Sequence, residues 1–129
     1  MKVLLSIKPE FVEKIFSGEK RFEYRKSIFK QPDIDTVVIY STMPVGMIVG
    51  EFKFKSIHKN SPEIIWNETK NLSGVTKDFF DDYFKNKNTA YAIEIEEVYK
   101  YKKPLNPHHI FTKFTAPQSF CYLESKFEF

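Results

Sequence analysis

The chain contains few of the residues that cross-link a fold, cradle phosphates or anchor a protein in a membrane. One cysteine, Cys121, in 129 residues excludes a disulfide within the chain and a cysteine-based metal site. Four glycines are too few for a glycine-rich phosphate loop. No apolar run reaches membrane-spanning length, and residues 1–30 lack the apolar stretch of a signal peptide. These absences predict a cytoplasmic protein without membrane contact.

Aromatic residues are abundant, and the charge balance is mildly basic. Fourteen Phe and seven Tyr contribute to an apolar content of 42%, which is enough for one core. The length predicts a single domain over residues 1–129. A net charge of +3 and a pI near 8.8 permit a polyanionic partner. They do not require one, because nucleic-acid binding is indicated by a higher pI and clustered Lys and Arg. Composition leaves the oligomeric state open.

Hydrophobic spacing predicts an α+β chain in which strands and helices alternate. The predicted helices cover about 9–17, 62–71 and 77–84, and the predicted strands cover 2–7, 18–25, 36–41, 45–57 and 88–101. Residues 123–129 alternate weakly and form either a last strand or a frayed end. Adjacent His108 and His109 have no carboxylate or cysteine nearby, so we predict no metal site and no cofactor.

The first helix has clear signals at both ends. Pro9 suits the first helical position, because its missing N–H and fixed φ cost nothing there. Gly18 is expected to close the helix as a left-handed cap. Lys8 lies at the N-terminal end, where backbone N–H groups and the helix dipole favour an anion such as phosphate. The alternative is that Lys8 is a solvated surface lysine.

The segment that follows, Gly18 to Arg25, concentrates charge on a predicted strand. Side chains alternate across a strand, so Glu23 and Arg25 share one face. Lys20 has the opposite parity and joins them only if the backbone turns or bulges near the glycine. An Arg beside a Glu can form a bidentate pair that presents its remaining N–H groups to a phosphate. The alternative is a row of ordinary surface ion pairs.

The spacing Gly-x-Lys-x-x-Glu-x-Arg, present at Gly18, Lys20, Glu23 and Arg25, resembles the signature of the ASCH domain family. Three further stretches resemble parts of the same family. They are the opening strand at 5–9, the second hairpin at 37–50, and a tail at 116–122 that folds back beside a cleft in one branch. ASCH domains are relatives of the PUA domain. The resemblance implies a small mixed β-barrel of five to six strands with two to three flanking helices.

The resemblance also implies a cleft that binds nucleic acid, and we prefer the interpretation of an RNA- or nucleotide-binding module. Its role would lie in RNA metabolism or in gene regulation, as a transcriptional regulator. Lys and Arg would hold phosphates, and Tyr40 would stack on a base of single-stranded or modified RNA. The candidate ligand-binding residues are Lys8, Lys20, Glu23, Arg25, Tyr40, Ser41 and Thr42.

A hydrolase is the alternative, with Lys20 and Glu23 as its candidate catalytic residues. Some ASCH relatives are described as ribonucleases, and a Lys/Glu pair can support acid–base cleavage of a phosphodiester. Others are amidohydrolases that act on acylated cytidine with the signature lysine, a threonine and a carboxylate. Here Glu23 stands in place of that threonine, and Glu63 or Glu68 would have to supply the carboxylate. A third interpretation is a barrel that contacts a protein partner.

Overall fold

One mixed sheet of six strands forms the centre of the fold. The computed structural model describes residues 1–124, 127 and 129, and its strands are Lys2–Ile7 (β1), Phe22–Arg25 (β2), Thr36–Ser41 (β3), Met47–Asn60 (β4), Ala90–Leu105 (β5) and Phe120–Leu123 (β6). The strand order is β2-β5-β4-β3-β1-β6, with β1 parallel to β3 and the other pairs antiparallel. The α+β class and the number of strands are therefore confirmed.

The residues that the structure describes contain four α-helices, against the two or three predicted. They are Pro9–Ser17 (α1), Pro62–Thr69 (α2), Lys77–Tyr83 (α3) and Pro107–Ile110 (α4), with a 3₁₀ turn at Lys70–Leu72 after α2. The unpredicted helix α4 is a single turn, too short to show a hydrophobic period. It forms because the Asn106 side chain accepts from the His108 N–H and Pro107 follows the cap.

The predicted helix ends are confirmed. Pro9 opens α1, and Gly18 closes it with a φ of 87°, the left-handed conformation that glycine adopts without a Cβ clash. The Ser61 side chain accepts from a backbone N–H at the start of α2, and the Thr76 side chain does the same at the start of α3. These contacts are local, so a few neighbouring residues specify them.

Two long strands differ from their predicted bounds. Strand β4 covers Met47–Asn60 instead of 45–57. Strand β5 continues to Leu105 and includes Pro104, although the prediction ended it at residue 101. The pairing of β4 with β5 shifts register between Ile48 and Gly50, and an irregular pairing tolerates a proline that cannot donate a hydrogen bond. The last strand is Phe120–Leu123 instead of 123–129, and residues 125, 126 and 128 of that prediction lie outside the described residues.

The sheet curls so that its two ends meet. Strand β2 is at one end of the order and β6 at the other, yet Arg25 of β2 donates to the Ser6 carbonyl of β1 and to the Ser119 carbonyl next to β6. Within the described part of the chain the ends are linked by side-chain contacts such as these and not by a strand pairing. Val12 and Ile15 of α1 are buried in the main apolar cluster of the sheet. No helix among the described residues has the length and apolar content to cross a membrane.

Candidate functional site

Among the described residues, Lys20 is one of the largest side chains that are fully buried, with 1% of its surface exposed. The chain reverses after α1, where the Gly18 N–H bonds to the Ile15 carbonyl and the Lys20 N–H bonds to the Lys14 carbonyl. This turn places Lys20 before β2 begins, so the alternation of the strand does not govern its direction. Lys20 could join Glu23 only if the backbone turned near Gly18, and that turn is present.

The Lys20 ammonium has polar and aromatic neighbours. Its Nζ donates to the Ser73 carbonyl at 2.8 Å and lies 4.0 Å from Glu23 Oε1. The rings of Phe11 and Tyr24 lie 5.3 and 4.8 Å from Nζ, within the range of cation–π contact. Burial lowers the pKa of Lys20 from 10.5 to about 8, against the opposing effect of the Glu23 carboxylate. A lysine with this pKa can both hold and release a proton near neutral pH.

Gly74 makes room for the lysine. Its φ is 68°, and a Cβ added there would lie 2.5 Å from Lys20 Cβ. The loop is held by Ser73, whose hydroxyl donates to the Val75 carbonyl at 3.0 Å. The same loop thus supplies the carbonyl that accepts from Lys20 and the glycine that lets the side chain pass.

Glu23 and Arg25 lie on one face of β2, as predicted from their spacing, and both are buried. One contact joins them, from Arg25 Nη1 to Glu23 Oε2 at 3.3 Å. The two side chains therefore do not form a bidentate pair. The guanidinium is instead shared with the carbonyls of Ser6 and Ser119, because β2 faces β1 and the tail across the seam of the curled sheet. Arg25 holds this seam and positions Glu23.

These side chains surround a cavity of about 180 Å³. Its polar lining consists of Ser6, Lys8, Lys20, Glu23, Arg25 and Gln118. Its aromatic lining consists of Phe11, Tyr24, Phe79 and Tyr83. Sites for whole small-molecule ligands measure about 300–1,000 Å³, so this cavity suits one part of a larger ligand.

The structure divides the predicted ligand-binding residues into two groups. Lys8, Lys20, Glu23 and Arg25 line the cavity together, but the three residues at the end of β3 do not. Tyr40 is 6% exposed in a second apolar cluster, with its ring 5.1 Å from that of Phe114, so it presents no face for a base.

The other two polar residues of that strand end are also engaged elsewhere. Ser41 is buried within β3, and the Thr42 N–H donates to the Ile7 carbonyl. Glu63 and Glu68, the candidates for a third carboxylate, lie on α2 outside the cavity. The carboxylate set of the amidohydrolase interpretation is therefore not assembled by these residues.

Sequence reasoning missed the aromatic wall contributed by α3. The spacing of Phe79, Phe80, Tyr83 and Phe84 is that of an amphipathic helix, and it gives no sign that some of them line a cavity. Phe80 and Phe84 are buried, whereas Phe79 and Tyr83 are half-buried and line the cavity. The spacing alone does not separate the buried pair from the pair that lines the cavity. The two pairs are neighbours around the helix axis, rotated by only about 100° from each other. Within residues 1–124, 127 and 129, no three His, Cys, Asp or Glu side chains are grouped to hold a metal ion.

Comparison with known proteins identifies the family. The model of the ASCH domain matches residues 5–99. The chain belongs to the ASCH family. A crystal structure of ASCH from Zymomonas mobilis superposes on this ASCH domain with a TM-score of 0.89 at 25% sequence identity, covering 97% of this chain and 89% of that one.

Two curated relatives differ in how much of their length is matched. An ASCH domain-containing ribonuclease from Zymomonas mobilis is 25% identical over 131 residues, covering 97% of this chain and 86% of that protein. The ATP synthase subunit alpha of Ureaplasma parvum is 32% identical over 124 residues, covering 95% of this chain. The chain spans only 15% of the length of the Ureaplasma protein, so that similarity concerns a domain-sized part of it.

Proposed function

We propose that this ASCH domain is a ribonuclease that takes one nucleotide of single-stranded RNA into the cavity and cleaves the adjoining phosphodiester. The observation that carries the proposal is the buried Lys20 ammonium, 4.0 Å from the Glu23 carboxylate and beside a cavity. A perturbed acid–base pair in a concave site is the usual arrangement for proton transfer. Support also comes from the ribonuclease of Zymomonas mobilis, which is similar over 97% of this chain.

The form of the cavity favours a single-stranded substrate. About 180 Å³ admits one group of a polymer, and a base reaches such a site only when it is unpaired. Basic and aromatic side chains line the same space, and single strands are bound by that combination of phosphate contacts and stacking. Cys121 is a free thiol, which agrees with the reducing cytoplasm as the place of action in RNA metabolism.

The proposed reaction is an internal transesterification. The Glu23 carboxylate accepts the proton of the ribose 2′-hydroxyl, and the 2′ oxygen forms a bond to phosphorus. The bond from phosphorus to the 5′ oxygen breaks, and the Lys20 ammonium donates a proton to that leaving oxygen. The products are a 2′,3′-cyclic phosphate and a 5′-hydroxyl. Arg25 keeps Glu23 in place, and the pKa of Lys20, about 8, suits a group that gives up a proton and regains it.

Binding without cleavage is the second candidate, and it is the one on which a role in gene regulation would depend. The basic and aromatic lining of the cavity favours it, because phosphate contacts and stacking hold a single strand without any proton transfer. This candidate would be identified by RNA whose affinity for the protein falls as the salt concentration rises and which is recovered intact.

Cleavage of a labelled single-stranded RNA tests the proposal. Lys20→Met keeps the bulk of the side chain and removes its charge, and general acid–base catalysis contributes about 10²–10⁴-fold in rate. We expect the cleavage rate of Lys20→Met and of Glu23→Gln to fall by about that factor. Lys55→Met, on the exposed surface of β4, is the control and should cleave at the wild-type rate. Thermal unfolding of each variant verifies that it is folded.

Product analysis decides between the reactions. Mass spectrometry should find the cyclic phosphate, and DNA of the same sequence should stay intact because it lacks the 2′-hydroxyl. Recovery of intact RNA after incubation with wild type would contradict the proposal. N4-acetylcytidine serves as the substrate for the amidohydrolase interpretation, and we expect no consumption of it.

A further inference from the structure

We infer that the mouth of the cavity is a nucleobase subsite, in which Phe79 and Tyr83 stack on a base and Gln118 reads its edge. This inference rests on the proposed function and adds to it a determinant of sequence preference. Three features of the structure support it: the aromatic wall of α3, the two lysines above that wall, and the amide of the tail.

The aromatic wall presents two nearly parallel rings. Phe79 and Tyr83 are one helical turn apart on α3, with ring centroids 6.0 Å apart and planes inclined by 11°. Both rings line the cavity, and both are half-buried. Neighbouring rings hold them in place: Tyr83 packs edge-on against the buried Phe84, and Phe79 packs edge-on against Phe11. Rigid rings with accessible faces stack on bases at little cost in side-chain entropy.

Two ammonium groups lie over these rings. Lys8 Nζ is 5.2 Å from the centroid of Phe79, and Lys26 Nζ is 4.5 Å from that of Tyr83. Both lysines are exposed, so water weakens these contacts and a ligand can readily displace them. A nucleotide offers a better partner to both members of each contact, because its base stacks on the ring and its phosphate pairs with the ammonium. Lys8 and Lys26 therefore mark the path of the RNA backbone at the mouth.

Gln118 contributes the group that can distinguish one base from another. Its neighbours fix the backbone on both sides: the Pro117 carbonyl accepts from Ser6 Oγ at 2.7 Å, and the Ser119 carbonyl accepts from Arg25. The Gln118 side chain lines the cavity and has no hydrogen-bond partner among the residues that the structure describes. An amide both donates and accepts, whereas Lys only donates and a carboxylate only accepts. Paired donor and acceptor atoms are what a base edge requires.

The subsite is tested by binding and by cleavage. Short 2′-O-methyl oligonucleotides of each base cannot undergo the proposed reaction, so their dissociation constants report on the subsite whether or not RNA is cut. Random-sequence RNA, cleaved and then sequenced at its ends, gives the bases that flank each cut. The variants are Tyr83→Ala, Tyr83→Phe and Gln118→Ala, and the matched controls are Tyr99→Ala on the exposed face of β5 and Gln31→Ala in a loop.

We expect Tyr83→Ala to raise Kd about ten-fold or more for every base, and Tyr83→Phe to restore binding, because the ring and not the hydroxyl stacks. Gln118→Ala should keep most of the affinity but reduce the preference among bases by about ten-fold. Both controls should match wild type. Thermal unfolding separates lost binding from lost structure in Tyr83→Ala, and the exposed Gln118 tests the subsite without that risk.

Three outcomes would overturn the inference. They are equal affinity of wild type for all bases, a preference that survives in Gln118→Ala, and unchanged binding by folded Tyr83→Ala. Failure of the proposed function looks different. In that case wild type and its variants show the expected pattern of affinities for 2′-O-methyl oligonucleotides, but RNA remains uncut.

Discussion

Two carboxylates of this ASCH domain each lie between two nitrogen-bearing side chains, one inside the fold and one on its surface. Glu23 lies 4.0 Å from Lys20 Nζ and 3.3 Å from Arg25 Nη1. Glu94 lies 2.7 Å from His58 Nε2 and 3.8 Å from Lys55 Nζ. Each carboxylate has a lysine ammonium within 4.0 Å, but the exposed fraction of that lysine is 1% in the first cluster and 68% in the second.

The comparison teaches that burial, more than the identity of the residues, separates a reactive cluster from an ordinary one. Water and salt screen the surface cluster around Glu94, and such pairs contribute about 0–1 kcal/mol. Inside the fold, desolvation destabilises the charged form of Lys20 and lowers its pKa to about 8. The interior cluster also borders the cavity of about 180 Å³.

The largest expected difference is in stability after the carboxylates are removed. Glu23→Ala leaves two buried cations without their shared partner, and we expect it to lower the free energy of unfolding by about 3–5 kcal/mol. Glu94→Ala should lower it by about 0–1 kcal/mol. Urea denaturation at pH 7 measures both. Equal losses would show that burial does not distinguish the clusters, and Glu23→Gln, which keeps the shape, should lie between the two.

The next effect is a dependence of stability on pH caused by Lys20. Its pKa is about 8 in the folded state and near 10.5 in the unfolded state, so between these values the unfolded state binds more protons. Stability contributed by this group therefore rises with pH across that window, by about 3 kcal/mol in total. Below pH 8 both states are protonated and the cost of the buried charge is fully present.

Lys20→Met removes this titration. The free energy of unfolding of wild type should therefore increase relative to that of the variant as the pH rises from 8 to 10.5. The difference between the two proteins is the quantity to follow, because all their other ionisable groups are the same. Lys55→Met, which removes a side chain that is 68% exposed, is the surface control. Parallel curves for wild type and Lys20→Met would mean that the lysine is not desolvated.

The smallest of the three effects concerns the glycine beside the lysine. Gly74→Ala forces a left-handed backbone on alanine and brings its Cβ to 2.5 Å from Lys20 Cβ, so we expect a loss of about 1–3 kcal/mol and weaker RNA cleavage. Gly18→Ala is the matched variant, because Gly18 also has positive φ but an added Cβ meets nothing within 4 Å.

Denaturation and cleavage assays on both glycine variants separate backbone strain from the displacement of Lys20. Both should lose stability, and Gly74→Ala should lose more. If the two variants lose the same stability and the same activity, the close approach of the loop to Lys20 has no consequence.

Much of the framework was predictable because it depends on neighbouring residues. Pro9 and Gly18 bound α1 as expected, and α2 and α3 begin at the predicted positions 62 and 77, each capped by the side chain just before it. The approach of Lys20 to Glu23 was predictable in the same sense, because a glycine-mediated turn is a local event. The family resemblance supplied the expectation of a cleft, which no spacing in this chain indicates by itself.

The misplaced residues all depend on distant partners. Tyr40 was expected to stack on a base, but Phe114, far along the chain, covers its ring. A bidentate pair of Arg25 with Glu23 was possible from the sequence, but the carbonyls of Ser6 and Ser119 compete for the N–H groups of Arg25. These competitors are brought close only by the curling of the sheet.

The order of residues by itself determined the helix ends, the shared face of Glu23 and Arg25 on β2, and the turn that leads Lys20 out of α1. Tertiary structure alone decided that Lys20 is buried, that Ser73 and Gly74 receive it, and that α3 and the tail complete the cavity. The physical reason is that backbone turns and side-chain alternation act over a few residues. Desolvation of a charge instead depends on which atoms, from anywhere in the chain, exclude water from around it.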